Sequence, residues 1–442
     1  MQYFERFLQQ ISLLRLLCLR VSIQHFLNAL LLMAFSTSHA FAGEVKEPAT
    51  QLALKDALAL ALNANPEIAV ALREREAIDG IKTQAALRPN PSISTMVQDT
   101  RSATRETTLQ VNQEFELGNK RDARMEVADS FYSKAEAELD NRKADIHASV
   151  IAAFYSVLAA QERVSLAKTS LEVANLALDA ASKRVKAGKS SPVEETKSKI
   201  AESSVRIELN QAVSQLNSSR KRLTALWGNP LPVFERAEGD VRQVPDTQAL
   251  NELSAMLEDS PAIKIAKIEI NAREAVTKVE RSKSTPNITF SAGIVNNQDI
   301  GHNQALLGLS VPIPLFDRNQ GNVQEAVSRK YKAEDELVSL KNQLELNLAG
   351  QYERLNAARQ ASESLRTEIL PGAQSTFDAA NKGFSAGKFN FLDVLDAQRT
   401  LVQAKSQYIE ALLEAHLAVA EIERILGDVI THQQALGVND AI

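Results

Sequence analysis

Apolar residues recur every seven positions along one uninterrupted stretch of the chain. From Asn119 to Ala187 there is neither glycine nor proline, and a helix of that length extends roughly 100 Å at 1.5 Å per residue. One core position holds Val150, Val157, Val164, Leu171, Leu178 and Val185, and the position three residues later holds Ala153, Ala160, Ala167, Ala174 and Ala181. Alanine at every second core position predicts a close, left-handed coiled coil. An ordinary globular helix with a wide apolar stripe is the alternative.

A later stretch repeats this design. One core position holds Val394, Leu401, Tyr408, Ala415 and Ile422, and the other holds Ala397, Ala404, Ala411 and Ala418. The long helix that precedes it, about Asn322 to Ala386, differs from its counterpart because it contains Gly350, Pro371, Gly372 and Gly383. A proline inside a helix removes one hydrogen bond and bends the axis. We therefore expect one long helix to be straight and the other to be kinked.

Two pairs of segments alternate between apolar and polar residues, as strands do. The first pair is Ser92 to Asp99 and Thr107 to Leu117. In the second pair, apolar residues alternate from Ile288 to Ile294 and from Leu307 to Leu315. Each strand has about 8–12 residues, which is long enough to cross a bilayer at a tilt.

The chain is an internal duplication. Ala187-Gly188-Lys189 reappears as Ala386-Gly387-Lys388, Asn65-Pro66 corresponds to Ser260-Pro261, Pro91 and Ile93 correspond to Pro286 and Ile288, and Leu226-Trp227-Gly228 corresponds to Ile425-Leu426-Gly427. We predict a first repeat at 43–230, a connection at 231–250, a second repeat at 251–427 and a tail at 428–442. The strand pairs lie at about 92–117 and 287–316, and the helical hairpins turn at Gly188 and Gly387. The absence of a linker rich in Pro, Gly or Ser favours one interwoven unit.

The first 42 residues are typical of a secretory signal peptide. Arg15 and Arg20 precede an apolar run that is too short to span a bilayer, and Ala40-Phe41-Ala42 suits cleavage. The single cysteine, Cys18, lies in this segment, so neither disulfides nor thiolate metal sites are expected in the exported chain. Removing three Arg and one Glu changes the net charge from −5 to about −7, and no basic patch indicates nucleic-acid binding.

Four strands per chain constrain the assembly if the strands lie in a membrane. Four strands cannot close a barrel, and open sheet edges are not tolerated in lipid. Several chains would then share one barrel, and three chains would supply twelve strands. A pair of soluble hairpins packed on a core is the alternative.

The junctions between strands and helices resemble those of a known family. The segments Gln113-Glu114-Phe115-Glu116-Leu117-Gly118-Asn119-Lys120-Arg121 and Pro312-Ile313-Pro314-Leu315-Phe316-Asp317-Arg318-Asn319-Gln320-Gly321 are similar to those of the heavy-metal branch of the TolC family of outer-membrane efflux ducts. The resemblance covers about Gln51 to Gly427. It implies a mainly α protein with a small β part, forming a homotrimer with a twelve-stranded barrel in the outer membrane of a Gram-negative bacterium and a long α-helical coiled-coil tunnel in the periplasm.

The resemblance also implies function and partners. The expected function is the outer-membrane channel of a tripartite system that exports cobalt, nickel, zinc or cadmium, working with a periplasmic adaptor and a proton-driven inner-membrane pump of the RND type. A duct for drugs or type I secretion is an alternative within the same fold. A periplasmic coiled-coil adaptor or scaffold is an alternative of another class.

The resemblance implies that Asp393 and Asp396 form acidic rings at the narrowest point of the tunnel, where confined carboxylates attract cations and repel one another. The duplication places Glu194 at the position of Asp393 and Lys197 at that of Asp396. Favourable contact with a helix dipole is the alternative role for these carboxylates. Known members carry an arginine between the turn and the aspartates, and Lys388-Phe389-Asn390-Phe391 has none.

The two hairpin turns are the expected docking sites for the adaptor. Gly188 and Gly387 suit helix ends that need positive φ, and Lys189 and Lys388 lie beside them. Their docking role follows from the resemblance alone.

No catalytic or cofactor chemistry is predicted. His147, His302, His416 and His432 do not pair with other ligands at metal-binding spacing, and we expect them to be isolated surface residues. No nucleophile and base can be combined into a catalytic site. The protein is therefore expected to be neither an enzyme nor a holder of a cofactor or resident metal.

Overall fold

The computed structural model describes residues 47–99, 101–386, 388–389 and 391–427. The predicted signal peptide, Gly387, His432 and the tail at 428–442 lie outside this part of the chain. The elements of the first half, in chain order, are β1 (Gln51–Ala53), α1 (Leu54–Ala64), α2 (Pro66–Ala85), β2 (Ser92–Gln98), β3 (Glu106–Phe115), α3 (Lys120–Lys186), α4 (Pro192–Ala225) and β4 (Arg236–Glu238).

The second half repeats the order of a helix, two strands and a long helical hairpin. Its elements are α5 (Leu250–Met256), a short 3-10 helix (Leu257–Asp259), α6 (Pro261–Ser282), β5 (Ile288–Asn297), β6 (His302–Ser310), α7 (Gln320–Ser364), a π-helical turn (Leu365–Ile369), α8 (Leu370–Ser385) and α9 (Phe391–Leu426). Asn119 and Asn319 adopt the same left-handed φ of 56° and 62°, directly before α3 and α7. The two halves therefore leave the sheet through the same backbone conformation.

The long helices follow the heptad prediction. Helix α3 runs unbroken for 67 residues, and its core positions include the buried Val150, Val157, Ala160 and Ala174. One 18-residue stretch of α3 has the length and composition of a membrane span, but half of it is buried in the protein. Packing against other helices therefore accounts for its apolar character.

The second long helix is interrupted near the expected proline. A π-helical turn at Leu365–Ile369 lies between α7 and α8, and Pro371 is the second residue of α8. A π turn shifts the hydrogen-bond pattern by one residue, so it separates the two segments without ending the helix. The two copies of the long helix thus differ in continuity.

One strand ends earlier than its sequence pattern indicated. The alternation continues to Leu315, but β6 ends at Ser310, and residues 311–316 form neither strand nor helix in the single chain. Pro312 and Pro314 cannot donate to a ladder, and β5, the neighbouring strand, begins only at Ile288, so its last partner in β6 is Ser310. The expected strand from Leu307 to Leu315 was therefore wrong for an isolated chain.

The motifs that the two halves share meet in space at the ends of the repeats. The Asn65 side chain caps α2 and donates from Nδ2 to the backbone O of Leu226 at 2.7 Å. In the second half, Gly427 lies so close to Pro261 that an added Cβ would be 2.3 Å from its ring. In the first repeat the start of α2 thus contacts the end of α4, and in the second repeat the start of α6 contacts the end of α9.

The connection between the repeats is part of the core. Strand β4 pairs in parallel with β1, and Phe234, Ala237 and Val241 are buried. The Glu47 carboxylate accepts hydrogen bonds from the backbone N of Val233 and Phe234 at 2.6 and 3.0 Å. This parallel pair could not be predicted from sequence patterns, because each strand has only three residues.

Candidate functional site

The four-stranded sheet has one continuous apolar face. The strands pair antiparallel in the order β2-β3-β5-β6, and paired residues of antiparallel strands point to the same face. The residues on this face include Ile93, Val97, Leu109, Val111, Phe115, Phe290, Ile294, Leu307 and Leu309. All nine of these side chains are exposed. A sheet face of this kind is stable in water only when something apolar covers it.

The opposite face of the sheet is polar. Asn112 bonds to Ser94 on β2 at 3.1 Å and to Ser291 on β5 at 2.6 Å, which links three strands across this face. An apolar face opposite a hydrogen-bonded polar face is typical of strands in an outer-membrane barrel, with lipid on one side and water on the other.

Both edges of the sheet are open. Within the described residues, β2 pairs only with β3 and β6 pairs only with β5. A matching row of helices lies beneath the sheet, in which α2 packs on α3, α3 on α6 and α6 on α7. The two outer helices of this row also expose apolar side chains: Val70 and Ile81 on α2, and Tyr331, Val338 and Leu346 on α7. The sheet therefore has unpaired strands at both edges, and the helical row has exposed apolar side chains at both of its ends.

The first hairpin turn has the predicted glycine conformation. Gly188 adopts a φ of 66°, and the Lys189 N donates to the Arg184 O at 2.8 Å, which closes the end of α3. Ser191 then caps α4 through the Val193 N. In the second turn, the Lys388 N donates to the Gly383 O at 2.8 Å. Lys189 and Lys388 are both exposed, as an adaptor-docking role would require.

The predicted acidic residues lie just after these turns. Glu194 is in the first turn of α4 and Asp393 is in the first turn of α9. Asp396 is exposed one turn later and lines a cavity of about 740 Å³ together with Lys197. The structure thus brings Asp396 and Lys197 to one groove between α3, α4 and α9, whereas Glu194 and Asp393 do not line it.

Two contacts join the hairpins near their tips, and sequence reasoning missed both. The Gln398 side chain is 7% exposed and donates from Nε2 to the backbone O of Ser170 on α3 at 3.2 Å. Closer to the turns, the Arg184 guanidinium lies 4.9 Å from the centre of the Phe384 ring. An arginine therefore does contact the second hairpin, but it comes from the first hairpin and contacts an aromatic ring.

Two of the predicted surface histidines are buried, which corrects that expectation. His416 is 0% exposed, stacks on Tyr155 with ring centres 3.6 Å apart, and has its Nε2 2.9 Å from the Val241 O. His147 is also buried. Burial raises the pKa of Tyr155 to about 12, and the nearby charges of Glu423 and Asp240 add to the effect. The signal for His416 was its place on the α9 face that also carries Leu412 and Val419, both buried.

Among the described residues, no group of three or more His, Cys, Asp or Glu side chains is placed to hold a metal ion. His302 lies exposed at the start of β6.

Comparisons with known proteins agree with this arrangement. A profile of the family described as outer membrane efflux protein matches residues 57–229 and 253–428. The cobalt-zinc-cadmium resistance protein CzcC of Cupriavidus metallidurans is 42% identical over 382 residues, which cover 86% of this chain and 91% of that protein. The nickel-cobalt-cadmium resistance protein NccC of Alcaligenes xylosoxydans is 29% identical over 73% of this chain and 72% of its own.

Solved structures show the same fold at low identity. CusC has a TM-score of 0.73 at 16% identity, covering 84% of this chain and 91% of its own. The outer membrane protein VceC of Vibrio cholerae has a TM-score of 0.71 at 19% identity, covering 85% and 96%. Among these structural neighbours, OprN is an outer-membrane channel and CusC forms a transmembrane channel.

Proposed function

The chain belongs to the outer membrane efflux protein family, and we propose that it forms the outer-membrane duct through which divalent heavy-metal cations leave the cell. Cobalt, zinc, cadmium and nickel are the proposed cargo. The 42% identity to a cobalt-zinc-cadmium resistance protein over most of both chains carries this proposal. The fold is common to ducts with other cargo, so the fold by itself supports only the channel.

The duct would be a homotrimer. The apolar face of the sheet suits contact with outer-membrane lipid, and its edges β2 and β6 have to pair because open edges are not tolerated there. Rotational symmetry would join β6 of one copy to β2 of the next, and α7 to α2 beneath it. Three copies would give twelve strands, and the exposed apolar side chains of α2 and α7 would be covered at the same joint.

The duct would work with two partners. A periplasmic adaptor would dock on the two hairpin turns at Gly188-Lys189 and Gly387-Lys388, where Lys189 and Lys388 are exposed. A proton-driven inner-membrane pump would supply the energy. Passage through a passive duct needs no catalytic residue in this chain.

The tip of the tunnel would be the gate. Asp393 and Asp396 would be repeated three times around the axis, and their mutual repulsion would favour opening. In the closed state, the Gln398 and Arg184 contacts would hold the second hairpin against the first. The attraction between Asp396 and Lys197 in their shared groove would act in the same direction. Glu194 would contribute charge near the tip from the first hairpin.

Drug or protein export is the other function that this fold supports. The pyoverdine export outer membrane protein OpmQ of Pseudomonas aeruginosa is 27% identical over 51% of this chain, compared with 42% over 86% for CzcC. A soluble adaptor or scaffold role is not favoured, because the exposed apolar sheet face would then need another cover.

Gene deletion and complementation test the cargo. Loss of the gene should lower tolerance to at least one of cobalt, nickel, zinc and cadmium, and the wild-type gene should restore it. Asp393→Asn with Asp396→Asn should restore tolerance less well, whereas Asp378→Asn, an exposed carboxylate before the turn, should restore it fully. Unchanged tolerance to all four metals together with altered drug sensitivity would refute the metal proposal and leave the duct intact.

A further inference from the structure

The segment that follows β6 has the features of a strand without a partner. Residues 311–316 continue the apolar alternation of β6 at Val311, Ile313 and Leu315. These three side chains are exposed, and Phe316 is 91% exposed. In the single chain the Leu315 N donates to the Ile313 O at 2.9 Å, which forms a local three-residue turn. The segment therefore has the residue pattern of a strand, but its backbone forms a local turn in place of strand pairing.

The prolines of this segment leave one edge free to pair. Successive N–H groups of a strand point to opposite edges. Pro312 and Pro314 are two positions apart and so remove donors from the same edge. The N–H groups of Val311, Ile313 and Leu315 all lie on the other edge. A partner strand on that side would meet no missing donor.

The internal duplication supplies a template for the joint between two copies. Inside one chain, β3 is the second strand of the first repeat, and it pairs with β5, the first strand of the second repeat. Between two copies, β6 would meet β2 in the equivalent way. Gly118, which follows β3, lies so close to Thr285 that an added Cβ would be 2.7 Å from its Cβ. Inside one chain, the residue that follows β3 thus packs against a residue that precedes β5. We expect the equivalent contact, in addition to strand pairing, at the joint between two copies.

The template also fixes the register. Phe115 lies four residues before Asn119, and it pairs with Ile288. The corresponding residues are Leu315, four before Asn319, and Ile93. Leu315 of one copy would thus lie opposite Ile93 of the next.

The same template places Val111 opposite Ala292, which corresponds to Val311 opposite Val97. All seven residues of β2 then lie opposite residues 310–316, and Ser310 is the only residue of β6 that β2 meets. The apolar side chains of the two strands fall on one face in this register. It continues the apolar face of the sheet across the joint.

From these observations we infer that residues 311–316 become a strand only in the assembly, by pairing with β2 of a second copy of this chain. The local turn at Ile313 opens when this happens. The inference rests on the proposed joining of sheet edges, and it adds which residues make the joint and in what register.

Cysteine pairs test the register, because the single cysteine of the chain, Cys18, lies in the predicted signal peptide. Full-length protein with Ile93→Cys and Leu315→Cys, oxidised in outer membranes, should form covalent oligomers on a non-reducing gel. The matched control is Ile93→Cys with Leu309→Cys. These two residues would face each other if β2 paired only with residues of β6, which ends at Ser310 in the single chain. That pair should not cross-link. Each single cysteine variant gives the background.

The outcomes separate this inference from the proposed function. Cross-linking of the Leu309 pair in place of the Leu315 pair would overturn the inference while keeping the joined edges. Native oligomers without cross-linking of either pair would overturn it as well. A protein that remains monomeric in the outer membrane would refute the proposed trimer itself.

Discussion

The buried amide of Gln398 is the most direct test of how the tip is held. Its Nε2 donates to the Ser170 O across the two hairpins, so movement of α9 away from α3 breaks the bond. Gln398→Ala removes this bond and one buried methylene. A hydrogen bond contributes about 1 kcal/mol and a buried methylene about 0.8 kcal/mol. The closed tip should lose about 2 kcal/mol per subunit.

That loss changes the balance between closed and open tips substantially. Each 1.4 kcal/mol is a factor of ten, so roughly 30-fold more open tip is expected even if a single subunit governs opening. Purified full-length protein in planar bilayers should show a higher open probability. Cells that carry the variant should become more sensitive to large antibiotics that the outer membrane normally excludes.

Gln403→Ala is the matched control for this experiment. Gln403 lies on the same helix and faces the same groove, but its side chain is exposed. The same atoms are removed from both residues, and the helix gains an alanine in both. Equal open probabilities for the two variants, at equal amounts of folded protein in the outer membrane, would refute the role of Gln398 in holding the tip.

Two further predictions concern stability. Gly427 and Gly228 both have positive φ, but a Cβ added at Gly427 would lie 2.3 Å from Pro261, whereas one added at Gly228 would meet nothing within 4 Å. Gly427→Ala should therefore lower the free energy of unfolding by roughly 1–3 kcal/mol more than Gly228→Ala, which is the usual cost of overpacking, and it should lower the melting temperature further. Equal losses would show that backbone strain alone matters. Desolvation raises the pKa of Glu47, but backbone and side-chain hydrogen bonds outweigh it and hold that pKa below its ordinary value. Its stabilising contribution is thus present at neutral pH and is lost as the pH falls below about 4. Glu47→Gln should lower the melting temperature at pH 7 and converge with wild type in acid, whereas the exposed control Glu235→Gln should match wild type at both pH values.

The long helices and the sheet could be predicted because their signals are repeated many times. A heptad that recurs from Val150 to Val185 averages out single exceptions, and alternation in β3 and β5 spans ten residues in each strand. The turns were visible for the same reason, since Gly188 and Gly387 occupy equivalent places in two copies. Signals that recur in both halves of the chain were therefore sufficient to predict the main elements of the fold.

The errors fall where a residue's environment depends on a distant partner. His416 looked like a solitary polar residue, yet Tyr155 and Val241 enclose it from elements far away in the sequence. The hydrogen bond from Gln398 to Ser170 links residues 228 positions apart. No local pattern reports such contacts. The end of β6 was misjudged for a related reason, because strand length depends on the neighbouring strand as well as on alternation.

The pairing of β3 with β5 inside one chain has a consequence for assembly. Linking two sites in one molecule replaces a concentration-dependent encounter with an intramolecular one, at a high effective concentration. A ring of six single repeats would need six encounters between separate molecules. In a ring of three duplicated chains, half of those joints form during the folding of each chain, and only three depend on how much protein has reached the membrane.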